Sequence, residues 1–319
     1  MKITQIQRKT LSVIIKLLVF IATLYYLYIK VFKDGSLKDS VSDFEFNNRS
    51  FWLLIPVFIL MLVNWSIEAG KWKMLISTFE EISFKRSFAA VWSGLTINNW
   101  VPNRMAEFAG RIIFINAGKR GKAIVSTFAG NMAQMMMTLI FGSLGLYLFY
   151  HFQGPYRWFI ADILVLVNIL FILFYFRMKW FVFLIKRIRF LHFLIKYIEI
   201  LEHFSVAFLF RVVLLAMLRY LTYLSQYVML LLLFGIDVDP GILYSGVALI
   251  FLIQTFIPSV MLTDIGVRGA VVLYVFEKVS PNLAGLLAAA YSIWFINLLI
   301  PSLFGALFIL LKKKNKQLS

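Results

Sequence analysis

Two short strings of the same pattern lie about half a chain apart. Asn98-Asn99-Trp100-Val101-Pro102 and Gln254-Thr255-Phe256-Ile257-Pro258 both read polar, polar, aromatic, β-branched, proline. Each is followed by an acid with an arginine four residues on, Glu107 and Arg111 in the first case, Asp264 and Arg268 in the second. Proline is favoured just inside a helix start, and Asn103, Ser259 and Thr263 are good capping residues, so each string announces a helix that begins after the break. The first turn of a helix carries unpaired N–H donors and roughly +0.5 of an elementary charge, which favours a phosphate. Arg104, Arg111 and Arg268 add full charges, and a guanidinium offers phosphate oxygens two parallel hydrogen bonds. Asn98, Asn99, Asn103, Gln254 and Thr255 would complete such a site, and the two acids would orient the arginines, pair with an amine or relay a proton. A plainer account is also open. At a spacing of four, Glu107/Arg111 and Asp264/Arg268 each share one helix face and can neutralise themselves. That account leaves unexplained the amides ahead of each break and Arg104, which has no obvious local partner.

The elements that must hold these residues belong to a strongly apolar chain. Its 319 residues are 61% hydrophobic and 15% charged, with a mean hydropathy of +0.85. A soluble domain has about a quarter of its residues charged, so a soluble globular enzyme is excluded and an all-α polytopic membrane protein is indicated. The formal charge of +17 would suggest nucleic acid for a soluble protein, but the basic residues cluster between apolar runs. That is the positive-inside pattern, and no nucleic-acid partner is expected. There is no cysteine, and His151, His192 and His203 are scattered, which excludes a disulfide frame, a thiol nucleophile and a His/Cys zinc site. Zinc-protease, serine-hydrolase, phosphate-loop and dinucleotide fingerprints are missing. No metal, no cofactor and no enzymatic activity are expected.

A bilayer core about 30 Å thick needs about 20 apolar helical residues. Six stretches qualify: Leu11 to Ile29, Phe51 to Gly70, Ala123 to Tyr150, Trp158 to Phe176, Val212 to Phe234 and Ala284 to Leu311. The first follows Lys2, Arg8 and Lys9 but no small-residue cleavage site follows it, so it reads as a retained helix. Twenty Lys and Arg fall in the loops of one side against six on the other, which puts both termini in the cytoplasm, as an even number of crossings requires. The two strings interrupt further apolar stretches whose arms, Ser87 to Ile97 and Met105 to Ala117 in the first, are too short to cross. They read as re-entrant hairpins, 87–117 entering from the cytoplasm and 241–277 from the opposite face, with tips at Pro102 and Pro258 that must line a cavity. The chain is then one integral membrane domain over 1–319. Residues 1–155 form a first repeat of helix, helix, hairpin, helix, and 156–319 form an inverted second one, an arrangement that places binding sites near the midplane.

Other polar residues carry less. Asn131, Gln134 and Asn297 point to interhelical hydrogen bonds or to cavity lining. Glu68 and Lys71 read as an interfacial ion pair at the cytoplasmic end of the second helix. Lys16 and Arg219 read as snorkelling to the inner surface. Gly142-x-x-Gly145 suits close helix packing. The stretch from Arg177 to His203 sets Trp180, Phe181, Phe183 and Leu184 against Lys179, Lys186, Arg187 and Arg189. This amphipathic segment is expected on the inner membrane surface against anionic lipid head groups, a plain solvated connector being the alternative.

The run from Asn98 to Arg111 resembles the signature of the transmembrane region of lysylphosphatidylglycerol synthases, a flippase-like family. Ile257-Pro258 followed by Gly266-Val267-Arg268 resembles its second, C-terminal motif. The resemblance implies a multi-pass protein of the bacterial cytoplasmic (inner) membrane that moves a lipid between leaflets. In the best-understood members that lipid is an aminoacylated phosphatidylglycerol. Carried over by position are Asn98 or Asn99, Pro102, Arg104, Glu107 and Arg111, then Pro258, Gly266 and Arg268. The chain resembles a stand-alone member without the soluble aminoacyl-transferase domain, so no lysyl transfer is assigned. It departs from many relatives at Asn131-Met132, where they carry Glu-Arg, and at Gly269, where they place an acid. The expected function is translocation of a phosphate-bearing, possibly aminoacylated, lipid. The alternative is an accessory subunit that presents a polyprenyl-phosphate or other lipid carrier to a separate synthase or glycosyltransferase. The charge bias makes a first prediction: tags at either end of the chain, expressed in a bacterium, react with impermeant reagents only after the inner membrane is opened, and labelling of intact spheroplasts would refute the orientation.

Overall fold

The computed structural model describes residues 48–100, 106–151, 159–257 and 261–317. All regular structure among them is helical. The helices are α1 (Asn48–Ile76), α2 (Phe84–Trp100), α3 (Ala106–Ile112), α4 (Arg120–His151), α5 (Phe159–Phe176), α6 (Met178–Lys186), α7 (Val206–Leu233), α8 (Pro240–Phe256), α9 (Met261–Phe276), α10 (Leu283–Trp294) and α11 (Ile300–Gln317). A π-turn over Phe295–Leu299 joins the last two. Four helical runs are long and apolar enough to cross a membrane: Trp52–Ile76, Ala117–Tyr150, Val206–Leu233 and Leu283–Lys312. A fifth arises if Asp162–Phe176 and Met178–Lys186, bent by 71° at Arg177, are counted as one. The first expected span, Leu11 to Ile29, lies outside the described residues.

The surface is that of a protein whose solvent is lipid. Trp52, Leu166, Leu170, Leu303 and Leu310 are exposed, while Asn64, Glu68, Lys71, Arg111, Gln226 and Asn297 are buried. In water this inversion would be unstable. In hydrocarbon it is required, because polar side chains must find their partners within the bundle. The protein is a multi-pass membrane protein.

The two stretches expected as hairpins each contain a pair of helices in contact, α2 with α3 and α8 with α9, with bounds that differ from the expected arms. α2 starts at Phe84 and runs through Asn98 and Asn99 to Trp100, and α3 is described over Ala106–Ile112. The amides therefore sit on the last turn of α2 and not in the break. α8 likewise runs through Gln254 and Thr255 to Phe256 and ends with Ile257 extended (φ −89°, ψ 114°). The cause is steric, because the ring of Pro258 disfavours the helical conformation for the residue before it. α9 begins at Met261, which puts Thr263 within its first turn instead of at its cap. α2 and α3 meet at two glycines. A Cβ on Gly110 would stand 2.4 Å from the Ser93 carbonyl oxygen and 2.5 Å from the Gly94 Cα, so only a residue without a side chain lets α3 lie against α2.

The remaining contacts pair off across the bundle. α2 packs on α11, where Thr96 Oγ1 donates to the Ser302 carbonyl at 2.7 Å and Ser93 Oγ to that of Gly305 at 3.3 Å. α8 packs on α4, where Leu252 lies against Gly142, and Ala248 with the Ser245 carbonyl lies against Gly145, as the Gly-x-x-Gly spacing suggests. Between these pairs α1 and α7 run antiparallel, with Gln226 Nε2 donating to the Val57 carbonyl at 2.9 Å and Arg219 reaching Glu68. The bend at Arg177 turns α6 away from α5, with Met178, Val182 and Ile185 buried and Trp180, Phe183 and Leu184 exposed beside Lys179, Lys186 and Arg187. Gly110→Val should destabilise the protein by ~1–3 kcal/mol through overpacking, read as a lower Tm in detergent. Gly70→Ala, where a Cβ meets nothing within 4 Å, should leave Tm unchanged or raise it.

Candidate functional site

The charged residues inside the bundle gather around one carboxylate. Glu68, on α1, accepts from Arg111 of α3 at 3.0 Å, pairs with Lys71 at 2.6 Å and with Arg219 of α7 at 3.4 Å. Glu68 and Lys71 are each 1% exposed and Arg111 is 3% exposed. Arg111 also donates to Glu107, one turn earlier on its own helix. Lys71 Nζ donates to the Gly130 carbonyl of α4 at 3.4 Å, and next to it Trp72 Nε1 donates to Thr127 Oγ1 at 2.8 Å. In this network, among the described residues, three cations face two carboxylates, which leaves one positive charge over. A lone cation at this depth costs at least ~2.5–3.5 kcal/mol on insertion scales, so the cluster favours a further anion.

Arg219 carries that charge to the wall of a cavity. Its guanidinium lies 5.2 Å from the Trp65 ring centroid, a cation–π contact, and donates to Gln134 Oε1 at 3.3 Å. The cavity has a volume of about 300 Å³ and is lined by Asn64, Trp65, Gln134, Arg219, Tyr220, Gln254, Thr255, Asp264, Arg268 and Asn297, among others. Arg268 binds Asp264 through Nε at 2.7 Å, and both residues line the cavity. The buried polar atoms Trp65 Nε1, Arg219 Nε, Gln254 Nε2 and Tyr220 Oη have no hydrogen-bond partner among the described residues. Buried donors are almost always satisfied, and here these four, one of them part of the Arg219 guanidinium, share one cavity with the guanidinium of Arg268. Their match is an anion rich in oxygens. On the opposite wall Asn297, in the π-turn, donates to Gln226 Oε1 at 2.9 Å and accepts from Asn64 at 3.4 Å. Pro301 follows four residues later. Its missing N–H and its ring would disturb a regular helix there, which the wider turn relieves.

Gln254, Thr255, Asp264 and Arg268, four of the residues singled out from sequence, line this cavity together. Glu107 and Arg111 are in the Glu68 network, which touches the cavity through Arg219. Asn98 is apart from both, with a buried Oδ1 that has no protein partner. Gly266 is buried within α9. Pro102, Asn103, Arg104, Pro258 and Ser259 lie outside the described residues, as do the side chains of Asn99 and Thr263. The residues just ahead of α3 and α9 lie outside the described residues, so within the described part of the site the positive charge is that of guanidinium groups. Arg268 donates to Asp264 one turn earlier, as the spacing suggests, whereas Arg111 is shared between Glu107 and Glu68.

A family model described as the lysylphosphatidylglycerol synthase TM region matches residues 13–305. The chain belongs to this family. No curated protein and no solved structure is significantly similar to it. Membership in the lysylphosphatidylglycerol synthase TM region family points to a function related to membrane lipid. Two assignments made from the sequence change in the bundle. Glu68 and Lys71 form the expected ion pair, but it is buried in the bundle and shared with Arg111 and Arg219. Arg219 does not snorkel: it sits midway along a 28-residue helix, about 20 Å from its start at 1.5 Å per residue, beyond the reach of its side chain. A signal was available in the sequence, since an ionisable residue in the middle of an apolar span is by default a functional candidate. Glu68→Gln should destabilise the protein by ~3–5 kcal/mol, the loss on removing one partner of a buried ion pair. Thermal unfolding in detergent checks this, and Glu107→Gln, on the less buried carboxylate, should cost less.

Proposed function

We propose that this protein is a lipid translocator that carries a phosphate-bearing head group through the cavity at Arg219 and Arg268 while the acyl chains stay outside that cavity, on its bilayer side. The observation that carries the reading is the surplus of unpartnered donors and guanidinium groups in a cavity inside a lipid-facing bundle, in a family tied to phospholipid. Arg268 and Arg219 hold the phosphate, Gln254 and Tyr220 donate to its remaining oxygens, and Asp264 offers a carboxylate to the amine of an aminoacylated head group. The reading assigns movement of the lipid and no covalent step.

The proposed architecture is six crossings with two re-entrant hairpins in an inverted repeat, both termini in the cytoplasm and the chain in a bacterial inner membrane. The mutual packing supports it: α2 lies on α11 as α8 lies on α4, with antiparallel α1 and α7 between. Rocking of one such half against the other would expose the cavity to each side in turn. In liposomes holding fluorescent phosphatidylglycerol or its lysyl ester, the protein should speed exchange between leaflets above empty vesicles. Arg268→Ala and Arg219→Ala should each lower that rate at least tenfold, and Asp264→Asn should selectively slow the lysyl ester. Equal rates in empty and protein-bearing vesicles, or full activity in both arginine variants, would end the proposal.

A further inference from the structure

A second hollow adjoins the polar cavity and is chemically its opposite. Leu54 and Phe58 of α1, Ile265 of α9, Ala288 and Tyr291 of α10, and Phe295 of the π-turn line an apolar groove of about 590 Å³. Phe58 and Phe295 are exposed, so the groove opens towards the bilayer. Its walls are continuous with those of the cavity. On α9, Asp264 and Arg268 line the cavity while Ile265, between them, lines the groove. In the π-turn, Asn297 and Leu298 face the cavity and Phe295 and Ile296 the groove. Ile265, Arg268 and Gly269 share one helix face at spacings of three and four, and the Tyr291 hydroxyl lies against Gly269, where an added Cβ would stand 2.5 Å from it. The tyrosine thus sits at the boundary, with its ring in the groove and its hydroxyl one residue from Arg268.

We infer that this groove seats an acyl chain of the same lipid whose phosphate is bound at Arg268, so that the protein recognises a tailed lipid as one unit across a polar and an apolar compartment. The inference rests on the transport reading for its head-group site, and it goes further in naming where the tail lies and which helices, α1 on one side and α9 with α10 on the other, form the lateral entrance. A water-soluble phosphate would use only the polar half. Ordinary boundary lipid would use the groove without regard to Arg268.

These alternatives separate in a crosslinking experiment on the full chain in nanodiscs containing phosphatidylglycerol with a photoreactive diazirine in one acyl chain. Adducts are expected on Ile265, Ala288 and Phe295, and Arg268→Ala should reduce them at least fivefold while leaving adducts on Leu303 and Leu310, the exposed face of α11, unchanged. Groove adducts that are absent, or that persist at full yield in Arg268→Ala, overturn the inference and mark the groove as a boundary-lipid surface. Ala288→Trp, which fills the groove away from the polar cavity, should abolish the groove adducts and slow exchange of the two-chain lipid at least tenfold, with binding of soluble glycerol 3-phosphate unchanged. Retained glycerol phosphate binding certifies that the variant is folded, and Ala288→Leu is the milder companion. Unchanged lipid exchange in a folded, groove-filled variant also refutes the tail seat. If wild-type protein moves no lipid yet shows Arg268-dependent groove adducts, the transport reading fails and the tail seat stands.

Discussion

A carboxylate inside an apolar helix bundle is tolerated only while cations surround it, and Glu68 has three, Lys71, Arg111 and Arg219, drawn from α1, α3 and α7. Each of these contacts fixes an element that apolar packing alone would leave free to slide, since lipid tails solvate leucine as well as a neighbouring helix does. Arg111 holds α3 against the long α1. Arg219 sets the height of α7 relative to α1, and Lys71 ties both to the Gly130 carbonyl of α4. The positive charge that remains after the carboxylates are matched is the electrostatic resource of the cavity, so folding and ligand recognition draw on the same few side chains.

Packing and polarity cooperate at the hairpin. α3 is held in place because Gly110 lets it lie against Ser93 and Gly94 while Arg111 anchors its far end to Glu68. The close approach places Glu107 and Arg111 over the backbone of α2 at Gly94. Local geometry, a missing Cβ and a long-range ion pair thus arrive at one position, and the loss of any one would loosen the other two.

Much of this was legible in the sequence. The end of α8 ahead of Pro258 is readable because proline acts locally, on the residue just before it, and the long apolar runs are readable because hydropathy is a sum over neighbours. The Gly142 and Gly145 contact followed from spacing alone. The role of Glu68 did not, because a hydropathy sum scores a buried carboxylate as a reason to end a span and cannot see that its partners lie 43 residues on at Arg111 and on a different long helix at Arg219. The same blindness sent Arg219 to the surface. Polar residues mark breaks on average, which puts the amides at 98 and 99 in the turn, whereas the helical backbone of α2 continues through both to Trp100.

The π-turn at Phe295–Leu299 has a consequence for phase. An i to i+5 turn inserts one residue, which rotates everything beyond it by about 100° relative to an unbroken helix of 3.6 residues per turn. Asn297 can therefore meet Asn64 and Gln226 while Gly305, two turns further on, meets the carbonyl of Trp92 on α2. An uninterrupted helix would have to forfeit one of these appointments. The extra residue works as a phase shifter, letting one long rod serve the wet interior with its first half and the hairpin with its second.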